Sequence, residues 1–140
     1  MKTKLAFKQA FMAGLMAAGV ATGLNALLFF IFKAQGVIVD TIFIQPNQPL
    51  TVVPIIISSI LPSLIASLVF FLLEKFTKNG FKVFRIIALV LAVLSFINPF
   101  MGIPNVTVAY AVVLNLMHVV VAGAVLYFIG KAVKKNISVG

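Results

Sequence analysis

The 140-residue sequence contains no cysteine, no tryptophan, a single histidine and two acidic residues. Without cysteine the protein cannot form disulfides, thiolate metal sites or thiol nucleophiles. The two carboxylates, Asp40 and Glu74, fall on opposite sides of a long apolar run, so they cannot act as general acid and base in one site. The lone His118 has no nearby acid with which to complete a catalytic triad or a zinc site. The sequence therefore predicts no catalytic residue and no metal site.

Hydrophobic residues, by contrast, are abundant. They make up 63 % of the chain, and the mean hydropathy is +1.23, whereas soluble domains are about 45–50 % apolar. Four apolar runs predict helices at residues 9–32, 51–73, 82–98 and 107–130. The first run would be about 36 Å long as a helix, enough to cross a hydrocarbon core of about 30 Å. The chain is thus predicted to be all-α: one transmembrane domain over residues 1–140, with four spans in an antiparallel bundle.

Positive charge is distributed unevenly around these spans. Ten of the eleven basic residues fall on one side: Lys2, Lys4, Lys8, Lys75, Lys78, Lys82, Arg85, Lys131, Lys134 and Lys135. Lys33, between the first and second spans, is the one basic residue on the other side. Because basic loops mark the cytoplasmic side of a membrane protein, this bias predicts that both termini are cytoplasmic.

A net charge of +9 and a pI of about 10.3 would also suit a nucleic-acid-binding protein. These charges, however, form short clusters at the ends of the spans rather than a stripe along a helix face. Anionic lipid headgroups attract such clusters with about 1 kcal/mol per basic residue. The bilayer is therefore the expected partner, and nucleic-acid binding is not expected.

The outer loop over residues 33–50 has its own pattern. Val37, Val39, Ile42 and Ile44 are β-branched, and the following QPNQP is a turn signal with prolines that cannot continue a helix. This pattern predicts a short strand or small β-hairpin that covers the outer end of the bundle.

Polar residues within the spans recur at similar depths. Counted at 1.5 Å per residue from the outer ends of the second and fourth spans, Ser59 and Asn115 lie about 12 Å deep. Ser63 and His118 lie at about 16–18 Å, and Asn25 is in the same half of the membrane. Since buried amides and imidazoles need hydrogen-bond partners in hydrocarbon, these five residues are predicted to form one polar cluster.

Two interpretations of this cluster stay open. Ser59, Ser63 and Ser67 share a helix face, which fits either a small-residue packing seam or the polar lining of a solute path. His118 is the single ionisable side chain deep in a predicted span, and such groups are functional candidates. It could equally complete a structural hydrogen bond to a neighbouring helix.

Two further local features carry predictions. Gly19 and Gly23 form a GxxxG motif, with Ala10, Gly14 and Ala18 nearby, which favours close helix packing within the bundle or between copies. Glu74 is expected to form an interfacial ion pair with Lys78 at i+4 in a helical continuation.

The segments IQPNQPLTVVP and INPFMGIPNVTVAYA, together with the inner loop EKFTKNGF, resemble a family of small bacterial four-helix membrane proteins with no assigned activity. The resemblance covers most of the chain. It implies a multi-pass protein of the bacterial cytoplasmic membrane, but supplies no substrate or site residue.

Three functions remain open from sequence. The first is a non-enzymatic membrane protein that acts through a membrane protein partner, lipid or self-association as a homo-oligomer. The second is an oligomeric carrier or pore for a small solute that uses the polar mid-membrane face. The third is a haem or redox protein with His118 as axial ligand, assisted by Met117 or Met101, although no cofactor is expected on balance.

Overall fold

The computed structural model describes residues 4–139 and contains five helices and two short strands within that range. The elements are α1 (Phe7–Ala34), β1 (Phe43–Gln45), β2 (Gln48–Pro49), α2 (Val52–Phe76), α3 (Gly80–Ser95), α4 (Ile97–Gly102) and α5 (Val108–Val139). Four helical stretches are long and apolar enough to span a membrane, with α3 and α4 together forming one of them. The predicted all-α fold with four spans is confirmed.

The spans form an antiparallel bundle. Helix α1 packs along both α2 and α5, and α3 packs on α2 and α5. Leu5, Phe84 and Ile129 belong to one buried cluster, so the start of α1, the α2–α3 turn and the end of α5 lie together. We call this the basic end, because nine basic side chains lie there: Lys4, Lys8, Lys75, Lys78, Lys82, Arg85, Lys131, Lys134 and Lys135. Lys2 lies outside the described residues.

The basic end is held by aromatic packing. The fully buried ring of Phe70 contacts Phe84 edge-on at 5.4 Å between centroids and Phe81 at 6.2 Å. Such edge-to-face pairs contribute about 0.5–1.5 kcal/mol beyond area burial. Gly80 begins α3 directly against the backbone and carboxylate of Glu74, where a Cβ atom would clash. Phenylalanines and one glycine therefore fix the tight turn between α2 and α3.

This turn corrects one prediction. Helix α2 ends at Phe76, and Thr77 is extended at φ −120° and ψ 157°. Lys78 is consequently not one helical turn beyond Glu74, and these two residues form no ion pair in the structure. Within residues 4–139 the ion pair joins Lys33 to Asp40 instead, with 2.9 Å between Nζ and Oδ1.

Helix ends differ from the predicted ones elsewhere. The third span was predicted to end at residue 98, yet helix resumes as α4 from Ile97 to Gly102. Pro99 is tolerated because it lies in the first turn of α4, where an N–H group has no intrahelical partner. At the other terminus, α5 continues nine residues past the predicted end at residue 130.

The opposite end, which we call the hairpin end, carries the predicted β-hairpin. Strands β1 and β2 pair antiparallel, and Asn47 between them has a positive φ of 59°. Ile38, Ile42 and Leu50 from the same segment are buried against the bundle, in a cluster that includes Tyr110. The apolar side chains of residues 33–50 thus cover the ends of the helices at the hairpin end.

Candidate functional site

Small residues line the contact between α1 and α2. A Cβ atom added to Gly14 would lie 2.5 Å from the Ser67 Cβ and 3.2 Å from the Ser63 carbonyl oxygen. The same face of α1 buries Ala10, Ala13, Ala17, Ala18 and Ala21. Ser59, Ser63 and Ser67 of α2 are buried opposite. The serine stripe is therefore a packing seam along most of its length.

The GxxxG motif lies elsewhere. Gly19 and Gly23 are exposed, and a Cβ atom at either position would have no neighbour within 4 Å. The expectation that this motif packs within the bundle is wrong, because the other face of α1, with Gly14, meets α2. Packing between copies stays a prediction.

Asn25 connects three helices. Its side chain is only 2 % exposed. The Nδ2 atom donates to Ser59 Oγ on α2 at 3.0 Å and to the Met117 carbonyl oxygen on α5 at 3.2 Å. An amide in hydrocarbon is costly without partners, so these bonds fix how α1, α2 and α5 face one another.

The remaining serines bond within their own helix. Ser63 Oγ donates to the Ser59 carbonyl oxygen at 2.7 Å, and Ser67 Oγ donates to the Leu64 carbonyl oxygen at 2.7 Å. Ser59 Oγ donates to the Ile55 carbonyl oxygen at 2.8 Å while it accepts from Asn25. Of the three stripe serines, Ser59 is the one that the structure joins to the polar residues of other helices.

Asn115 lies on a different side of α5. Its Nδ2 atom donates to the Phe96 carbonyl oxygen at 3.1 Å, at the junction of α3 and α4. Asn115 therefore ties α5 to the α3–α4 span and shares no bond with Asn25 or Ser59. Of the five expected cluster members, Asn25 and Ser59 are joined by a side-chain hydrogen bond between helices. Ser63 bonds to a backbone carbonyl of its own helix, and Asn115 is bonded separately.

His118 belongs to a cavity of about 210 Å³ in the hairpin half of the bundle. We call it the His118 cavity. Its polar lining comes from four elements: Asn25 of α1, Ser58 of α2, Asn98 of α4 and His118 of α5. Apolar residues of the hairpin segment, of α2, of α5 and of the region of Pro99 and Ile103 complete the wall. Asn25 and His118, two members of the predicted polar cluster, thus line the same cavity.

Two polar atoms beside this cavity have no protein partner. Asn25 Oδ1 and His118 Nδ1 are both enclosed and make no hydrogen bond, and Thr22 Oγ1 is in the same condition one turn earlier on α1. Most buried polar atoms in proteins are hydrogen-bonded, so each exception calls for an explanation. Among the described residues, Tyr110 Oη and Asn115 Oδ1 are also enclosed without a partner. Of these five side chains, those of Asn25 and His118 line the cavity.

Sequence reasoning missed two polar residues of the cavity. Neither Asn98 nor Ser58 belongs to the polar cluster predicted from the sequence. Ser58 Oγ does donate within its own helix, to the Ile55 carbonyl oxygen at 3.1 Å. The sequence could have indicated a role for Asn98, because Asn98 lies within the uncharged segment INPFMG, which fits a short helix as well as a loop.

In the described part of the chain, no group of three His, Cys, Asp or Glu residues lies close enough to hold a metal ion. Residues 6–135 of the chain match the model of a family described as "Family of unknown function (DUF6069)". No curated protein and no solved structure matches the chain significantly.

Proposed function

The chain belongs to the DUF6069 family of unknown function, and from its geometry we propose that it binds a small, neutral, polar solute in the His118 cavity, as the binding step of a membrane carrier. The observation that supports this proposal is that two side chains that line the cavity, Asn25 and His118, each have a hydrogen-bonding atom without a protein partner. A helix-packing contact alone needs neither the space nor the unpaired atoms.

The cavity suggests the chemistry of the solute. Asn25 Oδ1 can only accept hydrogen bonds, so the solute must offer an N–H or O–H group. His118 Nδ1 can donate or accept according to the tautomer, which suits a second polar group on the same solute. The described residues that line the cavity include no Lys, Arg, Asp or Glu. This lack of charged side chains favours a neutral solute.

Size sets the upper limit. The volume of about 210 Å³ is below the roughly 300–1,000 Å³ of sites for drug-sized ligands. It corresponds to about seven water molecules at roughly 30 Å³ each. Small amides, ureas and polyols are of the right size and polarity.

The proposed role is non-enzymatic and places the protein in a bacterial cytoplasmic membrane with the basic end inside. The charge bias supports this orientation. The hairpin end would then face outward, and the His118 cavity would lie in the outer half of the bilayer, where a solute from outside arrives first. Polar cavities between helices near mid-membrane are typical of carriers.

A swelling assay tests the proposal. Proteoliposomes containing the full-length protein are exposed to gradients of urea, acetamide or glycerol, and solute entry is followed by light scattering. We expect at least one solute to enter faster than in protein-free liposomes. Leu114→Trp, which places a large ring in the cavity, should abolish the acceleration, because Leu114 lines it.

Val119→Trp is the matched control, since Val119 lies on the same helix, is 48 % exposed and is not among the residues that line the cavity. It should retain the wild-type rate. Equal rates in wild type, Leu114→Trp and protein-free liposomes for all three solutes would contradict the carrier role.

A further inference from the structure

A second cavity lies at the basic end, between the first turns of α1 and the last turns of α5. Its volume is about 440 Å³. Gln9, Met12 and Met16 line it from α1, and Phe128, Lys131 and Lys135 line it from α5. Each set has the spacing i, i+3, i+7, so each comes from one helix face. We call this space the basic-end groove.

Polarity in the groove changes with depth. Helix α1 runs away from the basic end and α5 runs toward it, so Gln9, Lys131 and Lys135 lie at the rim while Met16 and Phe128 lie deeper. Seven residues along either helix span about 10.5 Å. The groove therefore has a polar, cationic mouth and an apolar interior.

The mouth is suited to an anion. Lys131 and Lys135 are both exposed and one helical turn apart. Gln9 Oε1 accepts a hydrogen bond from the Ala6 backbone N–H at 3.0 Å, which leaves its amide N–H groups as donors. Neither carboxylate side chain of the chain, Asp40 or Glu74, is among the described residues that line the groove.

The length of α5 places this mouth at the membrane surface. Helix α5 has 32 residues, about 48 Å, which exceeds a hydrocarbon core of about 30 Å by several turns. Because the surplus carries Lys131 and Lys135, their ammonium groups reach headgroup level while Phe128 stays at acyl-chain level. Methionine side chains, which adapt to irregular partners, line the deeper wall.

We infer that the basic-end groove binds one anionic glycerophospholipid, with its phosphate between Lys131 and Lys135 and an acyl chain along Met12, Met16 and Phe128. Basic pockets between transmembrane helices are a general mode of anionic lipid recognition. The inference is independent of the His118 cavity, which lies in the other half of the bundle.

Native mass spectrometry from a mild detergent tests the site. The probes are phosphatidylglycerol and phosphatidylethanolamine with identical palmitoyl and oleoyl chains. The wild-type protein should retain one phosphatidylglycerol in preference to phosphatidylethanolamine. Each lysine at the membrane surface contributes about fivefold in affinity, so the double variant Lys131→Gln/Lys135→Gln should bind about 25-fold more weakly.

Lys78→Gln/Lys82→Gln is the matched control, because it removes two charges from the same end of the bundle but outside the groove. It should bind phosphatidylglycerol like the wild type. An equal loss of phosphatidylglycerol binding in both double variants would mean that binding depends on general surface charge rather than on this site, and would overturn the inference. Unchanged binding by Lys131→Gln/Lys135→Gln would overturn it as well.

A second pair of variants tests the acyl-chain part with both lysines intact. Met16→Trp should fill the groove and expel the lipid, whereas Leu15→Trp, at an exposed neighbouring position outside the groove, should not. Inorganic phosphate at millimolar concentration should not displace the lipid. Displacement by phosphate would assign the mouth to a free anion rather than to a phospholipid. Retention of the lipid by Met16→Trp would overturn the placement of an acyl chain in the groove.

Discussion

Gly14 of α1 lies against Ser67 of α2 so closely that a Cβ atom at Gly14 would be 2.5 Å from the Ser67 Cβ and 2.6 Å from its Oγ. The Ser67 hydroxyl is already engaged with the Leu64 carbonyl oxygen. The two backbones can approach this closely only because one residue has no side chain and the other a small one. Helix α1 thereby buries its small-residue face against α2.

Gly14→Ala should destabilise the protein. The added methyl group must displace Ser67 or separate the two helices, and overpacking of this kind costs about 1–3 kcal/mol. Thermal unfolding in detergent measures the effect. Gly19→Ala provides the control, because a Cβ atom there meets nothing within 4 Å. It should leave stability unchanged or raise it slightly through better helix propensity. Similar losses in both variants would rule out the seam as the cause.

The hydrogen bond between Asn25 and Ser59 should be measurable as a coupling free energy. A double-mutant cycle with Asn25→Ala and Ser59→Ala isolates it. Hydrogen bonds between membrane helices average about 0.6 kcal/mol and reach about 1.7 kcal/mol, and we expect a value in this range. The parallel cycle with Asn25→Ala and Ser63→Ala should give almost no coupling, since Ser63 donates to a backbone carbonyl instead. Equal coupling in the two cycles would contradict the observed geometry.

The role of His118 can be tested with one variant that keeps polar groups at this position and one that removes them. His118→Gln keeps a donor and an acceptor and should retain folding and most of any solute entry measured in proteoliposomes. His118→Leu should fold with stability unchanged, because His118 Nδ1 makes no hydrogen bond that could be lost. It should lose solute entry, because an apolar side chain replaces a polar part of the cavity wall. A His118→Gln protein that folds but is inactive would instead indicate a role specific to imidazole, such as a proton relay or a ligand. A visible absorption spectrum of the purified protein tests the haem alternative.

Membrane orientation can be tested with single cysteines, because the chain has no native cysteine. In intact cells an impermeant maleimide should label cysteines at Asp40 and Asn105 but not at Lys78 and Lys135. The structure places these pairs at opposite ends of the bundle. A cysteine at Lys2 should, like that at Lys78, not be labelled. Labelling at Lys78 and not at Asp40 would reverse the proposed orientation.

The spans were predictable because their signal is local. Twenty or more apolar residues can cross a membrane whatever the rest of the chain does, so the four spans followed from composition. The hairpin followed likewise from β-branched residues beside QPNQP. Ends of helices were less accessible: the expected Glu74–Lys78 pair required helix to continue to Lys78, although Asn79-Gly80 is a turn signal. The pair failed because α2 ends at Phe76.

Which helix face meets which neighbour depends on the whole bundle. Gly19 and Gly23 carry the better-known packing motif, yet Gly14 forms the seam, because the complementary serines of α2 lie opposite it. Depth arithmetic correctly brought Asn25 beside Ser59. It could not separate Asn115 from them, since depth gives no information about rotation around the helix axis. The cavity beside His118 was likewise invisible, because empty space depends on several helices at once.

The Lys33–Asp40 ion pair has an electrical consequence. It leaves the hairpin end with no net side-chain charge, whereas nine described basic residues less Glu74 leave the basic end with a net charge of +8. Turning the protein over in a membrane held at 100 mV, negative on the basic side, would carry these eight charges against the field. At about 2.3 kcal/mol per charge, this amounts to roughly 18 kcal/mol. The voltage across an energised membrane would thus oppose inversion of the bundle, and in unenergised vesicles that force is missing.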